Sequence, residues 1–217
     1  MVPLFKSHFS TGKSILTLAE PEKQKADGPD SIISIAVENG LKEIYLVEDS
    51  LTGFLTAFKS CKTHNIHLKF GLRMTVCNSY DSVETSSHKV ILFALNDNGF
   101  KQLNKIYTHA FVEHDGAISN DDLTAKLTKD LLIAIPFYDS YVWNNMYSFS
   151  DCMPSFTPHV YFVEDNGLPF DKFTADFIRT KQEASLVVEA KSIYYNKRED
   201  FDAWVTYKIA CNRRMGK

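Results

Sequence analysis

The sequence predicts an α/β fold in which strands and helices alternate, as in a barrel or a doubly wound sheet. Three observations carry this. The apolar runs at 44–47 (IYLV), 90–94 (VILFA) and 131–135 (LLIAI) are too short for helices and suit buried strands. Stretches with helical spacing lie between them. Helix, strand, helix and strand also follow one another between Ser31 and Val76, as parallel crossover units do. About seven strands are expected in all, mostly separated by helices.

In chain order, Leu4 and Phe5 open a short strand followed by Lys6, Ser7 and His8. Residues 13–18 could add a short element before the polar loop 21–29 (PEKQKADGP). Ile32, Ile33, Ala36 and Val37 fall at helical spacing, and Gly40 supplies a left-handed stop. After the strand at 44–47, Glu48 and Asp49 stand where α/β folds gather chemistry. The next helix carries Leu51, Phe54, Leu55 and Phe58 on one face, and a strand spans 68–76. Residues 77–87 are turn-rich. Past 90–94, Asn96 caps a helix bearing Phe100, Leu103, Ile106 and Tyr107. Ser119 and Asp122 form a variant capping box for a short helix ending near Leu127. Pro136 stops the strand at 131–135. A strand follows at 160–163, then a helix started by Pro169 with Phe170, Phe173, Phe177 and Ile178 on one face. A late strand (186–189) and a last helix (roughly 200–211) complete the series.

Length and composition set the frame. The 217 residues, 44% hydrophobic and 24% charged, suit one soluble α/β domain spanning 1–217. A net charge of −3 argues against non-specific coating of nucleic acid. No apolar run approaches a membrane span and no signal core opens the chain, so a cytoplasmic protein without membrane contact is expected. Cys61, Cys77, Cys152 and Cys211 show no zinc spacing and read as reduced, packed thiols.

With that order in hand, the chain resembles a PHP domain (polymerase and histidinol phosphatase), of the kind at the N-terminus of bacterial DNA polymerase III alpha subunits. The residues at 58–76 (FKSCKTHNIHLKFGLRMTV) resemble the family's FYKAAKKAGIKPIIGCEVYV. Those at 90–107 (VILFALNDNGFKQLNKIY) resemble LLLLAKNEEGYRNLLKLV, and 186–211 resembles LVATNDVHYLNPEDAEAHDALLCI. The resemblance implies a (β/α)7-type, TIM-like PHP barrel. It also implies a metal cluster at the strand ends, which in catalytic members activates water and neutralises phosphate.

Departures from the family pattern fall on that cluster. The opening His-x-His is Lys6-Ser7-His8, and Thr-Asp-His-Gly is Val47-Glu48-Asp49-Ser50. The Glu of Gly-Cys-Glu is Arg73. The Cys after the strand at 131–135 falls near Tyr138. The Asp and His of Asn-Asp-Val-His are Lys191 and Ile193, and a family His falls near Phe111, two residues from His109. The vestigial site is therefore Lys6, His8, Glu48, Asp49, Arg73 and Lys191. Cations at three ligand positions repel a metal and can pair with Glu48 and Asp49 instead. The competing reading has these side chains pointing to water.

Three functions follow from the resemblance. The first is a catalytically degenerate PHP domain, a structural or docking module in DNA replication that needs no cofactor. Its partner would be a polymerase core or proofreading exonuclease, and a phage replication protein would suit so diverged a version. The second is a metal-dependent phosphoesterase or 3′–5′ exonuclease holding Mn, Zn or Mg through His8, Glu48 and Asp49. The third is an anion pocket using Lys6, Arg73 and Lys191.

Other constellations are weaker. His64 and His67 lack a third ligand, and a solvated helix end is the plainer reading. His109 and His114 lie in one loop region with Glu113 and Asp115, where polar side chains turned to water are the favoured reading. Neither a complete phosphate loop nor a nucleophile elbow occurs. Residues 191–217 hold seven Lys or Arg against three acids. A weak DNA contact through Lys197, Arg198, Arg213 and Arg214 is the alternative there to a solvated helix surface. Between Lys129 and Lys172 there are six acids and no basic residue, so the aromatic segment 137–162 should not track phosphate. It reads as core plus one loop, with protein docking as the alternative.

Overall fold

The computed structural model describes residues 1–25, 27–84 and 86–215, the side chains of 213–215 excepted. Along the chain lie β1 (Val2–Phe5), α1 (Ile32–Glu38), β2 (Glu43–Glu48), α2 (Phe54–Thr63), β3 (His67–Cys77) and β4 (Ser87–Ala94). Then come α3 (Asp97–Thr108), a π-helical turn (His109–Glu113), β5 (Ala117–Ser119), α4 (Asn120–Lys126), β6 (Leu131–Ile135) and α5 (Tyr141–Tyr147). The last elements are β7 (Val160–Val163), α6 (Pro169–Lys181), β8 (Val187–Ile193) and α7 (Phe201–Met215). Among the described residues no helix is long and apolar enough to cross a membrane.

Local signals fix the helix ends. The Ser31 hydroxyl accepts from the Ile33 amide at 3.1 Å, and Gly40 takes φ 61° just past α1. Asn96 Oδ1 accepts from the Asn98 and Gly99 amides, both at 3.0 Å. Ser119 Oγ accepts from the Asp122 amide at 3.1 Å and donates to its carboxylate at 2.8 Å, so the capping variant forms.

The chain forms two compact units. One comprises residues 1–2 and 71–191. Its strands run in the order β8-β7-β6-β4-β3-β5. The β6–β7 and β7–β8 pairs are parallel, but β4 is antiparallel to both β3 (Leu72↔Leu92) and β6 (Leu92↔Ile133). The crossover pattern expected from sequence is thus broken at the turn-rich segment. That segment is short enough only for a hairpin, whereas a parallel return needs a longer crossover. Strand β5, parallel to β3, is too short to register as a periodic pattern. Leu72, Met74, Val90, Leu92, Leu103, Ile106, Ile118, Leu123 and Ile133 form the core and are essentially inaccessible. Gly99 lets the first turn of α3 lie on the Asp130 carbonyl, where a Cβ would collide.

The other unit comprises residues 3–70 and 192–217, with β1 parallel to β2 (Phe5↔Leu46). Leu4, Phe5, Leu16, Leu18, Ile32, Ile33, Ile44, Leu46 and Cys61 fill its core. Residues 13–18 form no strand. They contribute one bridge, Thr17↔Ser31, and the Lys13 carbonyl that accepts from Trp204 Nε1 of α7 at 2.8 Å.

Two helix faces differ from expectation. Helix α2 buries Ala57, Ser60 and Cys61 and leaves Leu55 and Phe58 half exposed; α6 buries Asp171, Thr174, Ala175 and Ile178 while Phe170 and Phe173 face outward. In each, two neighbouring stripes satisfy the 3.6-residue period. The stripe of smaller side chains lets the helix approach closely and takes the contact.

Candidate functional site

The residues just past β1 and β2 form a compact polar corner. Glu48, the last residue of β2, is fully buried. Its Oε1 accepts from the Ser7 amide at 2.8 Å, and its Oε2 accepts from the Ser10 hydroxyl. Ser10 Oγ in turn accepts from the Asp49 amide at 3.0 Å, tying the loop after β1 to the loop after β2. Burial pushes the Glu48 carboxyl above its ordinary value, and the hydrogen bonds from Ser10 and Ser7 oppose that. Lys6 is nearly buried and places Nζ 3.0 Å from Asp49 Oδ1. His8 is exposed, its ring against Phe9 at 4.4 Å between centroids. The structure therefore joins Lys6, Glu48 and Asp49 through Ser7 and Ser10, two residues that the sequence reading did not single out. The signal for them was the run of polar side chains directly after a strand end.

In the other unit Arg73 projects from β3 and donates to Asp139 Oδ2 at 2.5 Å. Lys191 of β8 donates to Asn166 Oδ1. Asn166 Nδ2 donates to the Tyr138 hydroxyl at 2.7 Å, and Tyr138 donates to the buried Asp171 at 2.9 Å. Burial, reinforced by Asp171, drives the Tyr138 hydroxyl well above the usual phenol range, so it stays a donor. Ile193, the other departure from the family pattern near Lys191, ends β8 and accepts from the Lys6 amide through its carbonyl at 3.2 Å.

Five further histidines fall in three settings. His64 reaches Glu20 at 3.0 Å, with Ser60 donating to the same carboxylate at 2.5 Å, while His67 is exposed at the start of β3. Hydrogen bonding from Ser60 holds Glu20 below its usual value. His109, Glu113 and His114 converge with Tyr80 and Asp122 at the end of the π-helical turn. His88, unremarked in the sequence, is buried in β4, and its Nε2 has no hydrogen-bond partner among the described residues. Burial lowers it to about 4, so the ring is neutral.

All four cysteines are free thiols, as expected, and burial raises Cys61 to about 12 and Cys152 to about 11. Of the basic residues near the end, Lys197 lies 3.6 Å from Asp30 and Arg198 is exposed; the side chains of Arg213 and Arg214 lie outside the described residues.

Comparison with known proteins agrees with this chain order. A family model described as the PHP domain matches residues 25–156, more than half of the chain, and the chain belongs to that family. Its fold class is accordingly the family's mixed α/β, TIM-like barrel. Over 78 residues it is 30% identical to the DNA polymerase III subunit alpha of Mycoplasma genitalium. That match covers 36% of this chain and 8% of the relative, so the chain spans a small fraction of that relative's length. A solved structure from Bifidobacterium adolescentis, assigned as a metal-dependent phosphoesterase, aligns over 97% of this chain and 83% of its own. The TM-score is 0.32 and the identity 12%, and no functional argument rests on that likeness.

Proposed function

We propose that this chain is a catalytically degenerate PHP domain, working in the cytoplasm as a structural or protein-docking module in DNA replication. Its partner would be a polymerase core or a proofreading exonuclease. One observation carries the reading: the carboxylates at the end of β2 are already committed to protein partners from the segment after β1. Both Glu48 oxygens accept hydrogen bonds from Ser7 and Ser10, and Asp49 pairs with the Lys6 ammonium at 3.0 Å. A metal cluster needs several anionic or neutral donors turned to one point. Here Lys6 stands among them and His8 alone offers an imidazole, so the donor set does not fit such a cluster. Similarity to a DNA polymerase III alpha subunit supports the replication setting.

The test is site-resolved metal binding with an activity assay. Chelated protein is reloaded with Mn²⁺ or Zn²⁺ and compared with His8→Ala and Glu48→Ala. The expected result is that neither substitution changes the metal bound and that no metal-dependent phosphate or nucleotide release occurs. Metal lost in either variant, together with such release, would establish the phosphoesterase or exonuclease reading instead. Capture of a purified proofreading exonuclease or polymerase core by the domain tests the docking half.

A further inference from the structure

The corner after α3 brings together a donor set far from saturated by cationic partners. The helix does not end at Thr108 but continues as one π-helical turn, His109–Glu113, before Asp115 and Gly116 take positive φ of 51° and 89° and reverse the chain. That wider turn sets His109 and Glu113 on one side, and the reversal folds His114 back beside them. One ligand atom from each of His109, Glu113 and His114 falls within 4.8 Å of the other two. In a tetrahedral site with bonds of about 2.0–2.1 Å, ligand atoms stand about 3.4 Å apart, so modest side-chain rotation would close the set.

Surrounding groups orient these donors as a metal site requires. His109 turns Nδ1 toward Glu113, with Oε2 at 2.6 Å. Its opposite nitrogen, Nε2, faces Asp122 Oδ2 at 3.5 Å and the Tyr80 hydroxyl at 3.2 Å. Without an ion the 2.6 Å contact places a proton on Nδ1, since a carboxylate only accepts; a bound ion would take that place, with Tyr80 and Asp122 then positioned to hold the ring proton on Nε2. Asp122 is itself held: Tyr80 donates to Oδ2 at 2.5 Å and Ser119 at 2.8 Å. The Tyr80 ring stacks on His114 with centroids 3.7 Å apart, which fixes the second imidazole. His109 and His114 meet edge to face at 4.7 Å.

We infer that His109, Glu113 and His114 form a binding site for a single Zn²⁺-class divalent ion, with Asp122 and Tyr80 orienting His109. Two imidazoles and one carboxylate suit Zn²⁺ and leave a fourth position for water. The site belongs to the segment joining α3 to α4, and a bound ion would clamp the π-helical turn. It uses none of Lys6, His8, Glu48 or Asp49, so it stands apart from the degenerate-site reading above.

The test titrates the chelated protein with Zn²⁺ by calorimetry and with Co²⁺ by visible absorption. NMR of the unsubstituted protein follows the imidazole signals. One equivalent of Zn²⁺ should bind, shifting the His109 and His114 signals and leaving those of His8 in place. His109→Gln and His114→Gln should each weaken binding at least tenfold, and Asp122→Asn about tenfold or more through the lost orientation of His109. His8→Ala and Glu48→Gln should leave the affinity unchanged. Circular dichroism identifies any variant that is not folded, and the NMR measurement needs no variant. No saturable binding, or binding that shifts neither His109 nor His114, would overturn the inference; so would affinity lost with His8 or Glu48 but kept without His109.

Discussion

The corner at the ends of β1 and β2 and the corner after α3 use similar side chains in opposite ways. At the first, Glu48 is fully buried with both oxygens occupied, and Asp49 meets an ammonium. At the second, Glu113 is 56% exposed and meets, among the described residues, the His109 imidazole, while Asp122, itself 38% exposed, is the anion on the far side of that ring. The lesson is that acid and histidine counts do not define a metal site. What matters is whether each donor's lone pairs are already spent on fixed protein hydrogen atoms, because displacing those partners costs as much as a ligand bond would recover.

The largest expected effect would break this contrast at its tighter side. Glu48→Ala strands the Ser7 amide and the Ser10 hydroxyl in a buried pocket, and should cost roughly 2–4 kcal/mol in urea unfolding. A loss under about 1 kcal/mol would mean that Glu48 is not the organising acceptor. Its pH dependence has a definite sign. Since the native carboxyl sits above the ordinary value, its contribution is complete below about 4.5 and is lost as pH rises through the raised value.

His88 should give a comparable effect of opposite slope. Its native value of about 4 lies below the ordinary 6.5, so the folded state binds the proton less tightly. Stability is then complete above 6.5 and falls by roughly 3 kcal/mol as pH drops toward 4. Unfolding midpoints measured across that interval should show the fall, and His88→Phe should flatten it.

A gain of function would sharpen the comparison. Lys6→His removes the ammonium and adds an imidazole beside His8, Glu48 and Asp49. Zn²⁺ or Mn²⁺ binding sensitive to Glu48 should then strengthen about tenfold or more. No gain in calorimetry would place the obstacle in the Ser7 and Ser10 hydrogen bonds rather than in Lys6. The smallest effect is expected at the open corner: Glu113→Gln should change metal-free stability by no more than about 0.5 kcal/mol, because an exposed ion pair contributes little.

Much of the fold was legible because its signals are local. Gly40, Asn96, Ser119 and Pro169 act within a few residues of themselves, and each is found at the helix end it marks. The runs at 131–135 and 160–163 became β6 and β7 without adjustment. Less was legible where two answers satisfy one pattern. The Phe170–Phe173 stripe and the Asp171–Thr174–Ile178 stripe of α6 have equal periodicity, and only packing against the rest of the unit chose between them. The same limit hid the antiparallel β3–β4 pairing, since strand direction is a property of partners and not of a run.

For the candidate site, the sequence by itself determined which side chains are on offer: Lys6, His8, Glu48 and Asp49 at or just past the ends of β1 and β2, and Arg73 and Lys191 within β3 and β8. It also fixed membership of the PHP family through the order of residues along the chain. Only the tertiary structure decided their partners. Glu48 meets Ser10 across 38 positions, Lys6 meets Asp49 across 43, and Arg73 meets Asp139 across 66. Hydrogen bonds and ion pairs act over about 3 Å, so their partners are set by where the folded backbone brings distant residues, which no local pattern records.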